Sequence, residues 1–247
     1  MRATTHGYIG AWLYNRRSIL TRKHKELPAI QARLPATVAQ YFVLHPANPQ
    51  PRLIRQAAEI LRDGGVIAYP TDSSYALGCA LGDYEAVRRI RDLRGVDEHH
   101  HLTLVLRDLV ELGHFARLDN WQFRLVRQGV PGPFTFILPA TREVPKRLIH
   151  PKRSTVGVRV PEHPVVHALL TELEAPILSS TLLLPGDEVP LNDPEVIRER
   201  LEKRLDAILD AGACPAEPTS VIDLAVDPPV VVRRGRGDPA RMGLVAD

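Results

Sequence analysis

The chain has 247 residues, 44% of them hydrophobic and 25% charged, which is apolar material for one large domain or two small ones. No window approaches the roughly 18 consecutive apolar residues of a membrane helix, and two cysteines, Cys79 and Cys214, make neither a disulfide framework nor a metal quartet. The net charge of +3 invites a nucleic-acid reading, but seven of the 32 basic residues and only one of the 29 acidic ones fall in residues 1–39, leaving 25 against 28 elsewhere.

Residues 1–39 show no clean period. They are expected to be a disordered or irregular basic extension, or to lie upstream of a translational start near Val38. Reduced, buried or half-buried thiols and the absence of an apolar span point to a cytoplasmic protein with no membrane partner.

From Tyr41 the sequence becomes regular. Tyr41–Leu44 reads as a strand, and Pro51 opens a helix whose apolar face is Ile54, Ala57, Ala58 and Leu61. Val66-Ile67-Ala68-Tyr69 has the length and apolar continuity of a strand buried on both faces. Asp83 is the expected N-cap of a helix through Arg94, with Val87 and Ile90 inward. Leu102–Leu106 reads as a strand. Asp108 caps a short helix, and Asp119 caps another through Gln128 that carries Phe123 and Val126. Strands are expected at Phe134–Leu138 and Thr155–Val160, with a helix over His163–Leu173. Ile177–Leu184 is a further strand, Pro194–Lys203 a helix, and Ala207–Leu209, Val221–Leu224 and Val230–Arg233 close the pattern. This alternation, with no long linker, predicts one α/β domain with a twisted mixed sheet over residues 40–240.

Chemistry gathers at strand ends. Thr71, Asp72, Ser73 and Ser74 follow the Val66–Tyr69 strand, where ligands sit in open α/β sheets. The same cluster reads equally as a turn whose side chains bond their own backbone. Arg159 interrupts the apolar strand Gly157-Val158-Arg159-Val160, and a buried guanidinium needs an anion or a way out. Arg233 sits likewise after three valines, and Arg91 and Arg94 end a helix before Gly95. Arginines converging on one cleft would suit a phosphate or carboxylate. Arg153 lies in a basic loop expected to be solvated. His99-His100-His101 is expected to be a solvated loop and not a metal site, because adjacent residues diverge and no further ligand has helical spacing.

Several pieces, in order, carry a resemblance: Gly64–Asp72 (GGVIAYPTD), Pro131–Phe136 (PGPFTF), Gly157–Pro161 (GVRVP) followed by His163-Pro164, and Ser179-Ser180-Thr181. From about Tyr41 to Asp238 the chain resembles the YrdC-like family of threonylcarbamoyl-AMP synthases, and most of all its YciO branch. That branch is suggested by PTDSSYALGC, by FTFIL with EVPKRL after it, and by ILSSTLLLPG. The resemblance implies a twisted α/β sheet with a large cavity. It implies a nucleotidyltransferase that makes threonylcarbamoyl-AMP and pyrophosphate from threonine, bicarbonate and ATP, for the threonylcarbamoyl modification of tRNA. ATP would be a substrate, with Mg2+, and no cofactor would be tightly held. By the same resemblance Thr71, Thr135, Arg159 and Thr181 would contact the amino acid, and Arg94, Ser179, Thr219, Ser220 and Arg233 the nucleotide. No catalytic residue and no metal ligand is assigned.

Two departures stand out. The synthases carry Lys-x-Arg where this chain has Arg94-Gly95-Val96, and Ser-x-Asn where it has Thr181-Leu182-Leu183. An alternative therefore stays open: a tRNA or double-stranded-RNA binding protein of the same fold without synthase activity.

Overall fold

Among the residues described by a computed structural model (38–98, 100–150 and 152–244), the elements follow the chain nearly as the periodicity predicts. The reading of residues 1–39 concerns, apart from Val38 and Ala39, residues outside that set, as does His99. The strands are β1 (Gln40–Val43), β2 (Ile67–Tyr69), β3 (Ala76–Ala80), β4 (Thr103–Val105), β5 (Phe134–Pro139), β6 (Thr155–Arg159), β7 (Ile177–Thr181), β8 (Ala207–Asp210), β9 (Ser220–Asp223) and β10 (Val230–Arg233). The helices are α1 (Pro51–Arg62), α2 (Tyr84–Arg94), α3 (Leu109–Phe115), α4 (Asn120–Gly129), α5 (Pro164–Leu173) and α6 (Pro194–Leu201).

All ten strands form one mixed sheet in the order β1-β8-β2-β3-β7-β4-β6-β5-β9-β10. β1, β8 and β2 run parallel, while β2, β3 and β7 alternate in direction. Strand β2 explains why its run is apolar throughout. Ile67 and Tyr69 point to one side with α1 and α5, whereas Val66 and Ala68 point to the other with α2. Both faces are thus buried, as the continuity predicts.

The caps are those the sequence marks. Asp83 accepts from Ala86 N at 2.9 Å, and Asp108 accepts from Glu111 N at 2.8 Å. Asp206, buried beside β8, accepts from Val66 N at 2.7 Å and pairs with Arg89 at 2.8 Å, which fixes the start of β2.

Three expectations are corrected. Strand β3 was not foreseen, because Ala-Leu-Gly-Cys-Ala has weak strand propensity; it is set by antiparallel pairing with β2 and β7, and Gly78 leaves room for the Tyr69 ring, which a Cβ there would meet at 2.7 Å. Phe123 is exposed, and the buried face of α4 is made instead by Gln122, Val126 and Gly129. Gln122 is spared an unsatisfied amide by donating to the Leu224 carbonyl at 2.7 Å. The strand expected over Ile177–Leu184 ends at Thr181.

Helices α1 and α5 cover only one end of their face, over β1, β8, β2 and β3 and the ends of β4 and β7. The remaining stretch of that face, from β7 across to β10, carries no helix among the described residues. The site lies there.

Candidate functional site

Strict alternation builds the floor of a cavity. In β5, Phe134, Phe136 and Leu138 enter the core, and Thr135 and Ile137 face the other way. In β6, Val156 and Val158 enter the core, leaving Thr155, Gly157 and Arg159 on the cavity side. Register brings these positions together. Thr103 lies opposite Gly157 on one side and Ser179 on the other, and Ile137 lies opposite Gly157 across β5. The cavity they line has a volume of about 380 Å³.

Arg159 is the best-held group. It is 7% exposed, and its Nη2 donates to Thr71 Oγ1 at 3.2 Å, to Ser73 Oγ at 2.9 Å and, as an ion pair, to Asp72. Asp72 accepts in addition from Glu162 N at 3.0 Å. The Thr71–Ser74 cluster is thus the self-bonded turn of one of its two readings, with a grip on Arg159 that neither reading includes. Thr71 Oγ1 donates to the Ser74 carbonyl at 2.6 Å, and its turn also grips the arginine. Arg159 Nε is buried and has no hydrogen-bond partner among the described residues, an unusual state for a guanidinium that lines a cavity.

Two more arginines share the cavity. Arg94 is half-buried, donates to the Thr181 carbonyl, and also keeps a buried Nε without a partner. Arg233 is exposed as a whole residue but part-buried where its guanidinium meets the Thr219 carbonyl, donating from Nε at 3.1 Å and Nη2 at 2.9 Å. Burial, and then the charge of Arg233, push the Arg94 pKa down; burial, and then Arg159, do the same to Arg233. These cations feel one another, and among the described residues Glu188 is the one carboxylate that lines the cavity with them. Such a site favours a bound anion.

The remaining candidates divide. Thr135 and Thr219 join hydroxyls at 2.9 Å on the floor. Ser179 accepts from the Tyr69 hydroxyl at 2.7 Å and donates to the Leu77 carbonyl at 3.1 Å, and both Ser179 and Thr181 line the cavity. Thr71 and Ser220 do not line it. Thr71 faces a separate, more open recess with Asp72, His163 and Cys214. Ser220 is fully buried, donating to the Gly237 carbonyl and accepting from Gly235 N at 2.8 Å, so its hydroxyl holds the chain after β10. Of the two altered positions, Leu183 lines the cavity and Val96 does not.

Sequence reasoning passed over several lining residues. His100 and His101 face the cavity with His150 and are not simply solvated; the rings of His101 and His150 sit 4.8 Å apart. Burial, then Arg94 and Arg91, lower the His100 pKa. Arg153 also lines the cavity, and pairs with buried Asp223 at 2.7 Å. The signal that could have found Thr103 and Thr155 is the hydroxyl-apolar alternation of their strands. Burial pushes the Cys214 thiol up to about 11, so it is a neutral thiol at physiological pH and not a ready nucleophile.

Comparison with known proteins agrees with this fold. A family model for Sua5, YciO and YrdC, described as telomere recombination, matches residues 59–235. YciO of Escherichia coli K12, an uncharacterised protein, is 52% identical over 201 residues, covering 81% of this chain and 98% of that one. The crystal structure of E. coli YciO superposes with a TM-score of 0.80, covering 83% of this chain and 99% of YciO. A threonylcarbamoyl-AMP synthase of Halorhodospira halophila is 33% identical over 165 residues, 66% of this chain and 85% of the synthase. P. abyssi Sua5 complexed with L-threonine gives a TM-score of 0.73 at 27% identity, covering 79% of this chain and 57% of Sua5. The match of the family model over residues 59–235 and the 52% identity to YciO place this chain in the Sua5/YciO/YrdC family.

Proposed function

We propose that the cavity binds threonine, or a closely related amino acid, together with ATP, and that the chain forms threonylcarbamoyl-AMP from threonine, bicarbonate and ATP. The observation that carries this reading is the meeting of Arg94, Arg159 and Arg233 over a floor of hydroxyls in one cavity of about 380 Å³. That volume falls in the ordinary range for a small-molecule site, about 300–1,000 Å³.

The chemistry asks for these groups. The threonine nitrogen bonds to the bicarbonate carbon with loss of water. An oxygen of the resulting carbamate then attacks the α-phosphorus of ATP, an O–P bond forms, and the bond to the β-phosphate breaks, its electron pair leaving with pyrophosphate. Arg94 and Arg233 would offset the charge of the phosphates, and the Arg159 guanidinium, which lines the cavity, would meet the amino-acid carboxylate. Thr135, Thr181, Ser179 and Thr219 would orient the two substrates. No cluster of three His, Cys, Asp or Glu among the described residues could hold a metal ion, so Mg2+ would be carried by the nucleotide phosphates.

A double-stranded RNA cannot enter a cavity of this size, so arginines that line it serve a small ligand whatever the outer surface does. Assaying pyrophosphate release from pure protein tests the reading. Release should require threonine and bicarbonate together with ATP. Release that ignores either one, or no release at all, would overturn it.

A further inference from the structure

A second basic pocket of about 500 Å³ adjoins the cavity, and His101 lines both. Its walls come from three separate stretches: Arg91 on α2, His101 before β4, and Lys146 and Arg147 on a short 3₁₀ turn between β5 and β6. Among the described residues Glu98 is the one carboxylate that lines it. Arg91 carries a buried Nε with no hydrogen-bond partner among the described residues, and its Nη2 donates to the His100 carbonyl at 3.4 Å. Arg147 is steadied by stacking over the Tyr84 ring, 4.9 Å from its centroid.

Arg91, Lys146 and Arg147 set three positive charges around one concavity against the carboxylate of Glu98, an excess that favours a further anion. The packing against Tyr84 fixes one guanidinium in place, which lowers the ordering cost of binding. None of this is needed for the amino acid or the nucleoside in the main cavity.

We propose that this pocket is a second anion site, and that it takes inorganic pyrophosphate or the terminal phosphates of a bound nucleotide past His101. The identity of the anion rests on the synthase reading, since that reaction breaks the bond to the β-phosphate; the existence of the site does not.

Calorimetric titration of the full chain with inorganic pyrophosphate, inorganic phosphate and ATP tests it. The wild type should bind pyrophosphate at the pocket without threonine or bicarbonate. Lys146→Gln combined with Arg147→Gln, both exposed positions, should weaken that binding at least tenfold with an unchanged melting temperature. Arg91→Gln should weaken it as well. If the double variant also loses ATP affinity, the pocket takes the nucleotide's own terminal phosphates. If only pyrophosphate affinity falls, it takes the leaving product. Pyrophosphate binding that survives the double variant and disappears only with Arg94→Gln overturns the inference. Failure of the synthase reading would look different: pyrophosphate would bind but none would be released.

Discussion

Arg159 is the residue on which the proposed site turns, and its partners make its removal a structural event whatever its role in binding. Arg159→Ala leaves Asp72, largely buried, without its cation, and breaking a buried pair in this way costs about 3–5 kcal/mol. Thermal melts should therefore record a large loss. Arg159→Lys separates the two roles, because it keeps the charge on Asp72 but gives up the fork and the Nε donor. That variant should retain most of the stability while threonine affinity drops at least tenfold in calorimetry; an unchanged threonine affinity would remove Arg159 from the site. Leu183 is the other decisive position. It lines the cavity where the synthases carry an amide, whereas Val96, the second departure, does not line it. Leu183→Asn should gain one neutral hydrogen bond, about 0.5–1.5 kcal/mol, or roughly two- to tenfold in ATP affinity. A lower melting point with no gain in ATP affinity would mean that the leucine has been repacked for another ligand.

At the scale of the element, most strands and helices were legible because each keeps its own period. Helix α1 shows Ile54, Ala57, Ala58 and Leu61 on one face, and those four residues are its buried ones. Strand β3 was not legible, since its burial comes from β2 and β7 on either side and not from its own propensity. The same limit hid the floor of the cavity. Thr103, Gly157 and Ser179 meet through register between β4, β6 and β7, which no single stretch of sequence announces. Strand β6 offers a clean test of that floor. A Cβ on Gly157 would sit 3.4 Å from Thr103 Oγ1 and 3.7 Å from Thr135 Cγ2, ordinary contact distances. Gly157→Val should thus be tolerated by the strand, yet project methyl groups into the cavity. ATP and threonine binding should fall together in calorimetry, with far-UV circular dichroism unchanged; undiminished binding would place the ligands elsewhere.

For the molecule as a whole, the motifs identified the fold because they mark strand ends, and the sheet brings several of them, at Thr135, Arg159, Thr181 and Thr219, to one cavity. What they could not foretell was the division of labour there: Thr71 and Ser220 spend their hydroxyls on the chain itself, while His101, His150 and Arg153 face the cavity. The global charge balance also hides local fields, and one of them has a pH signature. His163 caps α5, its Nδ1 accepting from Val165 N at 3.3 Å, which requires a neutral ring nitrogen. Burial lowers its pKa, with Asp72 opposing and Arg159 assisting. A histidine whose folded pKa is depressed contributes stability above the unfolded value near 6.5, and that contribution is lost as pH falls below it. The melting temperature should therefore fall between pH 7.5 and 5.5, and His163→Asn, which can still cap the helix, should flatten part of that fall. An identical pH profile in the variant would show that His163 does not titrate with folding.

The central claim is that this cavity joins an amino acid to the α-phosphate of ATP, and mass spectrometry of the reaction mixture tests it most directly. With threonine, labelled bicarbonate and ATP, the account predicts a new adenylate that carries both the threonine and the bicarbonate carbon, formed by the wild type and lost in Arg159→Lys. ATP left unconsumed, or consumed to an adenylate lacking the labelled carbon, would contradict it.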